Sequence, residues 1–387
     1  MSRPVNVLFL IRTWALGGSH TIVRMLMRNM PAKGFNVTTV VYDAPGSGND
    51  DFIRYVGQQG LEVAPERIPW TSRSNWFPAR SAIRALVAKY DIDLIHAHDT
   101  HSNALVGVGR GQYPCAAIAS PYGWWDKPIH WHGRINHWVE KRLALPRFER
   151  VYTVSENMKA KVVAGGTAPE RVRVIHTGID LAQFEAGASR EETRAQFGID
   201  SGELVVGTVS RLFKEKGHRH LIDALARLRD ACPHTRLMIV GTGDERPALE
   251  AQVRRLGLDA RVTFTGYHAD LPGALRAMDI FAQPSVDQEG FPTAVLEAQA
   301  AGLPVVASDI GGTHETLDVG RTGLLTTPGD DAVLAVALRG LIEDPQRRAA
   351  MASAGRPWIA SRFTQPGMMA RMAETYHEAL GAYRDRR

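Results

Sequence analysis

Hydrophobic and polar positions form repeating blocks along this chain. Short, nearly continuous apolar runs are typical of parallel strands buried on both faces. In the first half these runs cover 5–11, 37–42, 93–98 and 115–120. A second series covers 204–210, 235–241, 262–266, 280–285 and 304–309. Between the runs, apolar residues recur at helical spacing, as in "HLIDALARL" and "PALEAQVRRLG". Strands that alternate with helices predict an α/β fold with parallel sheets.

The two series of strands indicate two domains. Between about 180 and 203 the sequence is polar and rich in small residues, and 387 residues suit two domains of ordinary size. We therefore expect two Rossmann-like units, 1–183 and 184–364, with helices at the C-terminus. Ligands of such open sheets bind outside the carboxyl ends of the strands, so candidate residues should follow the apolar runs.

Composition excludes several classes of protein. The 44% hydrophobic and 22% charged content is typical of soluble globular proteins, and no apolar run approaches the ~20 residues that cross a bilayer. The apolar stretch Val5–Ile11 is too short for a signal peptide and lacks a cleavage site, so we expect a buried first strand and a cytoplasmic protein. Two cysteines support neither a disulfide framework nor a metal site.

The net charge of +5 is mild, but its distribution is uneven. Segment 67–90 holds five basic residues and no acidic residue, with Trp70, Trp76 and Phe77 interleaved. Segment 124–138 holds four Trp and three His around two cations. Three interpretations stay open for these segments: partly buried structure, a platform on which a sugar stacks, or peripheral contact with an anionic membrane at its inner face. Because no known nucleic-acid module is present, we expect no nucleic-acid partner.

Two cations follow the first strand of the second half. Arg211 and Lys216 lie between that strand and a helix predicted to begin near Gly217. Either residue alone would be interpreted as a solvated surface charge. Because both stand at a strand end, opposite a second helix start, they indicate a phosphate site, and a diphosphate is the expected ligand.

Two carboxylates belong to the segment "DQEGFPTAVLEAQAAG". Glu289 and Glu297 are eight residues apart, about 12 Å if one helix carries both, which matches the span of a folded nucleotide sugar. Carboxylates accept hydrogen bonds from sugar hydroxyls. The residues after Glu289 leave backbone N–H groups free to face a phosphate: Gly290, Phe291, Pro292 and Thr293.

The first half carries less specific signals. Gly17 and Gly18 follow the first strand but lack the full dinucleotide fingerprint, so a simple turn remains an alternative. In "HAHDTHSN", a zinc site is disfavoured because Asp99 and Thr100 stand in the wrong order for a metallo-hydrolase. We expect His98 at the functional rim, with His96 packed deeper and His101 starting a helix. The "DID" at 91–93 lies at the amino end of its strand, which is the wrong edge for a metal–nucleotide motif.

Several of these motifs resemble the retaining glycosyltransferases of family GT4, which have the GT-B fold. The resemblance rests on "EGFPTAVLEAQAAGLPVVAS", preceded by "RLFKEKGH" and "IVGTG". Weaker support comes from "HAH" at 96–98, "VSEN" at 154–157, "HTGID" at 176–180 and "GGTHET" at 311–316. The resemblance covers nearly the whole chain. It implies two domains facing a central cleft, a donor held mainly by the C-terminal domain, and a final helix within 365–387 that returns to the first domain.

The resemblance also implies roles for individual residues. Glu289 would bind donor-sugar hydroxyls and Glu297 the ribose, while Arg211 and Lys216 would neutralise the diphosphate. The loop at Gly18 would close on the diphosphate, and backbone groups at Gly266 and Tyr267 would meet the base. His98 would lie near the reacting carbon. The candidates on the acceptor side are Trp14, His20, His98, Trp124 and Trp125.

The sequence departs from the family mainly on the acceptor side. His20 stands where an acidic residue is usual, Thr177 replaces an asparagine, and "SPYGWW" replaces a histidine-bearing strand end. The expected reaction transfers a sugar from a nucleotide-diphosphate sugar with retention, without cofactor or metal. Two alternatives remain: a nucleotide-sugar epimerase or hydrolase of the same fold, and a non-catalytic subunit at a membrane surface.

Overall fold

The computed structural model describes residues 3–12, 17–43, 48–70, 76–122, 131–287 and 289–386, and for 131–133 the backbone only. The chain divides into two compact units. The first comprises Met1–His176 and Pro366–Arg387, and the second Thr177–Gln365. The first boundary lies a few residues before the 183/184 division expected from the sequence. Among the described helices, none is both long and apolar enough to cross a bilayer.

The first unit is built on a parallel sheet of seven strands. Its strands lie in the order β3-β2-β1-β4-β5-β6-β7. Their bounds are β1 Val5–Ile11, β2 Phe35–Asp43, β3 Arg67–Pro69, β4 Leu94–Ala97, β5 Ala116–Ala119, β6 Arg150–Thr153 and β7 Val172–Val174. The central strands β4 and β5 are buried along their whole length, because helices cover both faces of such a sheet.

Six helices of the first unit connect these strands. They are α1 Gly18–Asn29, α2 Asn49–Gly57, α3 Trp76–Lys89, α4 Thr100–Val108, α5 Trp131–Trp138 and α6 Glu156–Ala164. A π-helical turn, Val139–Ala144, follows α5. It packs closely on α4, since a Cβ at Gly107 would lie 2.6 Å from the Cα of Ala144.

The second unit repeats the arrangement with six parallel strands. The order is β10-β9-β8-β11-β12-β13. The strands are β8 Leu204–Val209, β9 Thr235–Val240, β10 Val262–Gly266, β11 Ile280–Gln283, β12 Val305–Ser308 and β13 Gly323–Thr326. Its helices are α7 Arg190–Gln196, α8 His218–Arg227, α9 Arg246–Leu256, α10 Leu271–Arg276, α11 Thr293–Ala300, α12 Asp331–Ile342 and α13 Pro345–Arg362.

The last helix, α14 Gln365–Arg384, packs within the first unit. Glu378 pairs with Arg150 at 2.8 Å and with Arg173 at 2.9 Å. Arg386, just beyond the helix, donates to the buried Glu149 at 3.0 Å. These ion pairs attach the end of the chain to β6, β7 and the loop before β6.

Strand order creates a switch point in each sheet. In the first sheet β1 has β2 on one side and β4 on the other, and in the second β8 lies between β9 and β11. Connections from the two neighbouring strands diverge there, which leaves a crevice at the carboxyl edge. The loops after β1 and β4, and those after β8 and β11, carry the residues singled out from the sequence.

Four strands were absent from the sequence interpretation: β3, β6, β7 and β13. Each has only three or four residues and lies at the edge of its sheet or next to the edge strand. Strand β3 supports the interpretation of 67–90 as partly buried structure. Arg67–Pro69 belongs to the sheet, and Trp70 after it is buried.

Candidate functional site

The loop after β8 places two predicted cations beside the start of α8. Lys216 lies in a 3-10 turn, Lys214–Lys216, and Gly217 caps the helix with φ +66°. A Cβ at Gly217 would lie 2.0 Å from the carbonyl oxygen of Pro284, so only glycine permits this approach to the loop after β11. The N–H of Val286 also donates to the carbonyl of Glu215 at 2.8 Å. The two loops therefore form one surface.

The carboxylate of Glu289 lies at the centre of this surface. Its Oε1 accepts from Lys216 Nζ at 2.6 Å, from Gln283 Nε2 at 2.9 Å and from Ser285 Oγ at 2.5 Å. The side chains of Lys216 and Glu289 are 16% and 6% exposed, so the ion pair is largely withdrawn from water. Three donors on one oxygen fix the orientation of the carboxylate before any ligand arrives.

Arg211 is half-buried at the start of the same loop. Its guanidinium lies 4.6 Å from the centre of the Phe213 ring. Burial lowers the pKa of Arg211, while the negative charges of Glu215 and Glu289 act in the opposite direction. An arginine stays protonated despite such a shift. The loop thus presents a second permanent positive charge near the Lys216–Glu289 pair.

Helix α11 corrects the interpretation of the glutamate spacing. The helix begins at Thr293 with Pro292 as its N-cap, so Glu289 lies in the preceding loop and not on the helix. The distance of about 12 Å inferred for one continuous helix therefore does not apply to this pair. Glu297 is half-buried on α11, one turn after Thr293 and on the same face.

The residues between Glu289 and α11 divide into exposed and packed positions. Gly290 is half-exposed, whereas Phe291 and Pro292 are buried. The ring of Phe291 packs edge-on against Phe363, 5.6 Å between centres. Phe291 thus anchors the loop through its side chain. The N-cap residue Pro292 makes no side-chain cap hydrogen bond, and the first turn of α11 contains no acidic residue, so the positive end of the helix dipole faces no acidic residue of its own turn and suits an anion.

Gly311 was quoted from the sequence only as part of a motif, but it supports Glu289 directly. A Cβ at Gly311, where φ is +58°, would lie 1.8 Å from the carbonyl oxygen of Glu289. The N–H of Gly312 donates to that oxygen at 2.9 Å. Gln283 and Ser285 were also missed, because their contacts with Glu289 depend on the fold of the loop after β11.

Gly266 and Tyr267 follow strand β10. Gly266 has φ +71°, and its carbonyl accepts from the N–H of Gly241 at 2.8 Å. The side chain of Tyr267 is 77% exposed. Gly241 in turn packs on the loop after β8, since a Cβ there would lie 1.9 Å from the carbonyl oxygen of Ser210. The strand ends of β8, β9 and β10 are thereby joined through backbone contacts.

In the first unit, the glycines after β1 begin a helix. Gly17 is the N-cap of α1, and the first turn of the helix contains no acidic residue. The N–H of Gly17 donates to Nδ1 of His20 at 3.0 Å, and His20 packs against Phe52, 5.7 Å between ring centres. His20 is buried and stabilises the start of the helix. Gly18 is exposed. Trp14, Trp124 and Trp125 lie outside the described residues.

His96 and His98 occupy different environments at the end of β4. Both nitrogens of His96 are engaged, Nδ1 with the hydroxyl of Tyr376 at 2.8 Å and Nε2 with that of Ser120 at 2.6 Å. His98 Nδ1 is 2.7 Å from the hydroxyl of Tyr122, and within the described residues its Nε2 is buried without a hydrogen-bond partner. Burial lowers the pKa of His96 to about 3 and that of His98 well below its ordinary range.

The remaining residues of the histidine-rich segment are structural. Asp99 caps α4 by accepting from the N–H groups of His101 and Ser102 at 2.8 and 3.0 Å. His101 lies in the first turn of α4 against Trp70, 5.6 Å between ring centres. No cluster of potential metal ligands occurs in the part of the chain that the structure describes. The order of Asp99 and Thr100 is thus explained by helix capping.

The basic and aromatic segments are only partly exposed. In 67–90, Trp70 is buried and Trp76 packs against the core, whereas Phe77 is 80% exposed. Lys89 pairs with Glu66. Within 124–138, α5 exposes Ile135 and Trp138. Among the described residues of the two segments, Phe77, Ile135 and Trp138 are the exposed large apolar side chains.

Two family models match this chain, one for each half. Residues 16–183 match the model described as Glycosyltransferase Family 4, and residues 189–358 match Glycosyl transferases group 1.

Characterised relatives extend along much of the chain. A GDP-mannose-dependent alpha-(1-6)-phosphatidylinositol monomannoside mannosyltransferase of Mycolicibacterium smegmatis is 29% identical, over 86% of this chain and 88% of the relative. Glycogen synthase of Mycobacterium tuberculosis is 32% identical, over 73% and 68%. A 2-deoxystreptamine glucosyltransferase of Streptomyces kanamyceticus is 34% identical over 61% of this chain, but the chain spans only 63% of that relative's length.

A solved structure supports the fold along nearly the whole chain. The crystal structure of Anabaena HepE in complex with UDP superposes with a TM-score of 0.84 and is 27% identical, covering 96% of this chain and 99% of HepE. Together with the two Rossmann-like parallel sheets, this similarity assigns the GT-B fold.

Proposed function

The chain belongs to glycosyltransferase family 4, and we propose that it transfers a hexose with retention of anomeric configuration, without a metal. The donor is a UDP- or GDP-sugar. The acceptor is a hydroxyl of a glycan, a glycolipid or a lipid-linked sugar, as in the synthesis of cell-surface polysaccharide or glycolipid.

The observation that carries the proposal is the arrangement around Glu289. A buried carboxylate, held by Lys216, Gln283 and Ser285, adjoins Arg211 and the uncapped start of α11. This combination of groups suits a ligand that carries both a negative charge and several hydroxyl groups. Cations and helix N-termini attract phosphate, and a fixed carboxylate accepts hydrogen bonds from hydroxyls.

Each residue has a proposed role. Arg211 and Lys216 neutralise the diphosphate, helped by the backbone at Gly290 and Thr293. In the first unit, the backbone at Gly17 and Gly18 at the start of α1 is proposed to contact donor phosphate. Glu289 binds hydroxyls of the donor sugar, Glu297 binds the ribose, and backbone groups at Gly266 and Tyr267 meet the base. Phe291 and Pro292 hold the loop through packing. In the first unit, His98 contacts the reacting sugar or the acceptor, and His20 lies on the acceptor side.

The proposed chemistry is mainly electrostatic. The acceptor hydroxyl attacks on the face that the diphosphate leaves, and a leaving phosphate oxygen takes its proton. Arg211, Lys216 and the N-terminus of α11 stabilise the negative charge that develops on the leaving group. These fixed positive groups supply the role that a divalent cation has in other transferases, which is the reason for proposing metal independence.

The relatives support both candidate bases. HepE crystallised with UDP-glucose, whereas the mannosyltransferase of Mycolicibacterium smegmatis is GDP-mannose-dependent. The contacts proposed for the base at Gly266 are made by the backbone, so these contacts do not select one base.

Peripheral contact with an anionic membrane is proposed as an additional property. Its support is the exposure of Phe77 on α3, and of Ile135 and Trp138 on α5 beside the exposed Arg134. Apolar side chains next to cations suit the interface of an anionic bilayer. Co-sedimentation with anionic and neutral vesicles tests this property, and equal recovery with both kinds of vesicle would contradict it.

The function is tested first by thermal shift with UDP, GDP, ADP and their common sugars, in EDTA. A ligand at 100 times its Kd adds about 2.7 kcal/mol to the unfolding free energy, so binding of one base should be distinct. Product analysis with that donor follows. Sugar release or epimerisation without acceptor would replace the proposal by the epimerase or hydrolase alternative. Absence of any shift in a folded sample would favour a non-catalytic membrane-surface subunit.

A further inference from the structure

Among the described residues, one ring nitrogen of His98 has a hydrogen-bond partner and the other has none. The ring is 2% exposed, its Nδ1 is 2.7 Å from the hydroxyl of Tyr122, and Nε2 has no hydrogen-bond partner within the described part of the chain. A buried polar atom without a partner costs free energy in the unliganded protein. The free nitrogen of His98 is therefore a candidate contact for a ligand.

The protonation states restrict what His98 can offer. Burial lowers the pKa of His98 well below its ordinary value and raises that of Tyr122 well above it. The imidazole is thus neutral, and the phenol keeps its proton. Neutral imidazole carries one hydrogen, on either Nδ1 or Nε2, and the partner of one nitrogen decides which.

The contact with Tyr122 favours one of these two tautomers. A phenol is the stronger donor of the two groups, and an unprotonated ring nitrogen is the stronger acceptor. The planes of the two rings are 7° apart, and the phenol oxygen lies 2.7 Å from Nδ1, within hydrogen-bond distance. The O–H of Tyr122 then donates to Nδ1, and the hydrogen of the imidazole resides on Nε2.

We propose that Tyr122 is a positioning residue that holds the His98 hydrogen on Nε2, so that His98 donates a hydrogen bond to an oxygen of the bound substrate. The substrate part of this inference rests on the proposed function. His98 then acts as a donor to substrate and not as a proton acceptor. His96, 3.8 Å away between ring centres, is excluded from this role because Tyr376 and Ser120 engage both its nitrogens.

The same cluster contains a matched control. Tyr152 is fully buried, its ring centre lies 6.0 Å from that of Tyr122, and within the described residues its hydroxyl has no hydrogen-bond partner. Tyr152→Phe therefore removes a buried hydroxyl without removing a hydrogen bond. Tyr122→Phe removes the hydroxyl that contacts His98.

The test is ¹⁵N NMR of the full chain labelled at histidine. The His98 signals are the ones that disappear from the spectrum of His98→Gln. In the wild type we expect a protonated Nε2 and an unprotonated Nδ1. In Tyr122→Phe the two shifts should move toward each other as the second tautomer becomes populated, and kcat/KM should fall about three- to tenfold. Tyr152→Phe should change neither quantity.

Three results would overturn the inference: a wild-type hydrogen on Nδ1, unchanged His98 shifts in Tyr122→Phe, or equal effects of the two substitutions. The tautomer is measured without donor or acceptor. A protein with the Nε2 hydrogen but no transferase activity would refute the proposed function and leave the role of Tyr122 intact. An active transferase with the hydrogen on Nδ1 would do the reverse.

Discussion

Breaking the ion pair of Lys216 and Glu289 should lower both the free energy of unfolding and the turnover. The two side chains are 16% and 6% exposed and 2.6 Å apart. Lys216→Met keeps the length of the side chain but leaves the Glu289 carboxylate with only two neutral donors, Gln283 and Ser285. Glu289→Gln keeps the shape of the carboxylate and removes its charge. The double variant removes both charges.

The expected magnitudes follow from the burial of the pair. Removing one partner of a buried pair costs about 3 kcal/mol, since the other charge stays desolvated. For a domain of this size that corresponds to a fall in Tm of roughly 6–12 °C. The double variant should cost less than the sum of the single variants, with a coupling energy of about 2 kcal/mol. Each single variant should lose at least about 100-fold in turnover. Lys216→Met removes a charge that stabilises the leaving diphosphate, and Glu289→Gln removes the carboxylate that binds donor-sugar hydroxyls.

The assay combines urea unfolding of the four proteins with turnover of the donor identified by thermal shift. Lys214→Met is the matched control, because Lys214 is exposed in the same loop, two residues before Lys216. It should change stability by less than about 0.5 kcal/mol. A coupling energy near zero, or a Lys216→Met variant as stable as Lys214→Met, would refute the buried pair. A fully active Glu289 variant would refute its role in the site.

Three further predictions concern the supporting structure. Gly311→Ala should abolish turnover, because its Cβ would lie 1.8 Å from the Glu289 carbonyl oxygen. Gly302 is also at positive φ but has nothing within 4 Å of a Cβ, so Gly302→Ala should cost only about 1–2 kcal/mol of stability. Equal activity of the two variants would contradict this prediction. Asp99→Ala should destabilise the protein by about 1–2 kcal/mol in urea, because it removes the helix cap made by Oδ1. Asp99→Asn should restore only part of that loss, since its amide oxygen can cap the helix but its NH2 group cannot accept from the N–H of Arg12 as Oδ2 does. An Asn variant no more stable than the Ala variant would argue against the cap. Burial, with a smaller effect of the Lys216 charge, lowers the pKa of His218 to about 4. Between about pH 6.5 and 4 the unfolded chain therefore binds a proton that the folded chain does not, so the free energy of unfolding decreases as the pH is lowered through this range. His218→Gln should reduce that slope by about 1.4 kcal/mol per pH unit, and an unchanged slope would show that His218 is not responsible.

The central strands of both sheets were predictable, whereas the short strands at the sheet edges were not. Strands β1 and β8 are apolar runs of seven and six residues, and burial on both faces leaves a direct trace in the sequence. Strands β3 and β7 have three residues each, and hydrogen bonds to a neighbouring strand define them. Such strands exist because a sheet edge is already present, which the local sequence does not encode.

Residue types at the candidate site were predictable as well. Arg211, Lys216 and Glu289 follow strands, and their charges alone indicated an anionic, hydroxylated ligand. The spacing argument for Glu289 and Glu297 failed because Pro292 starts the helix later than the periodicity suggested. An apolar periodicity shows which residues face a core, but the cap decides where the helix begins.

From the chain alone came the alternation of strands and helices, the two-domain organisation and the charges at the strand ends, since all three depend on local pattern. Only the tertiary structure decided which side chains these charges contact. Strand order brings β11 beside β8, glycines at 217 and 311 permit backbone contacts that a Cβ would forbid, and Lys216 thereby meets Glu289 across 73 residues of sequence. Likewise Tyr122 and His98 come from neighbouring strand ends. Contacts between segments distant in the chain depend on the packing of the whole sheet, which no local pattern contains.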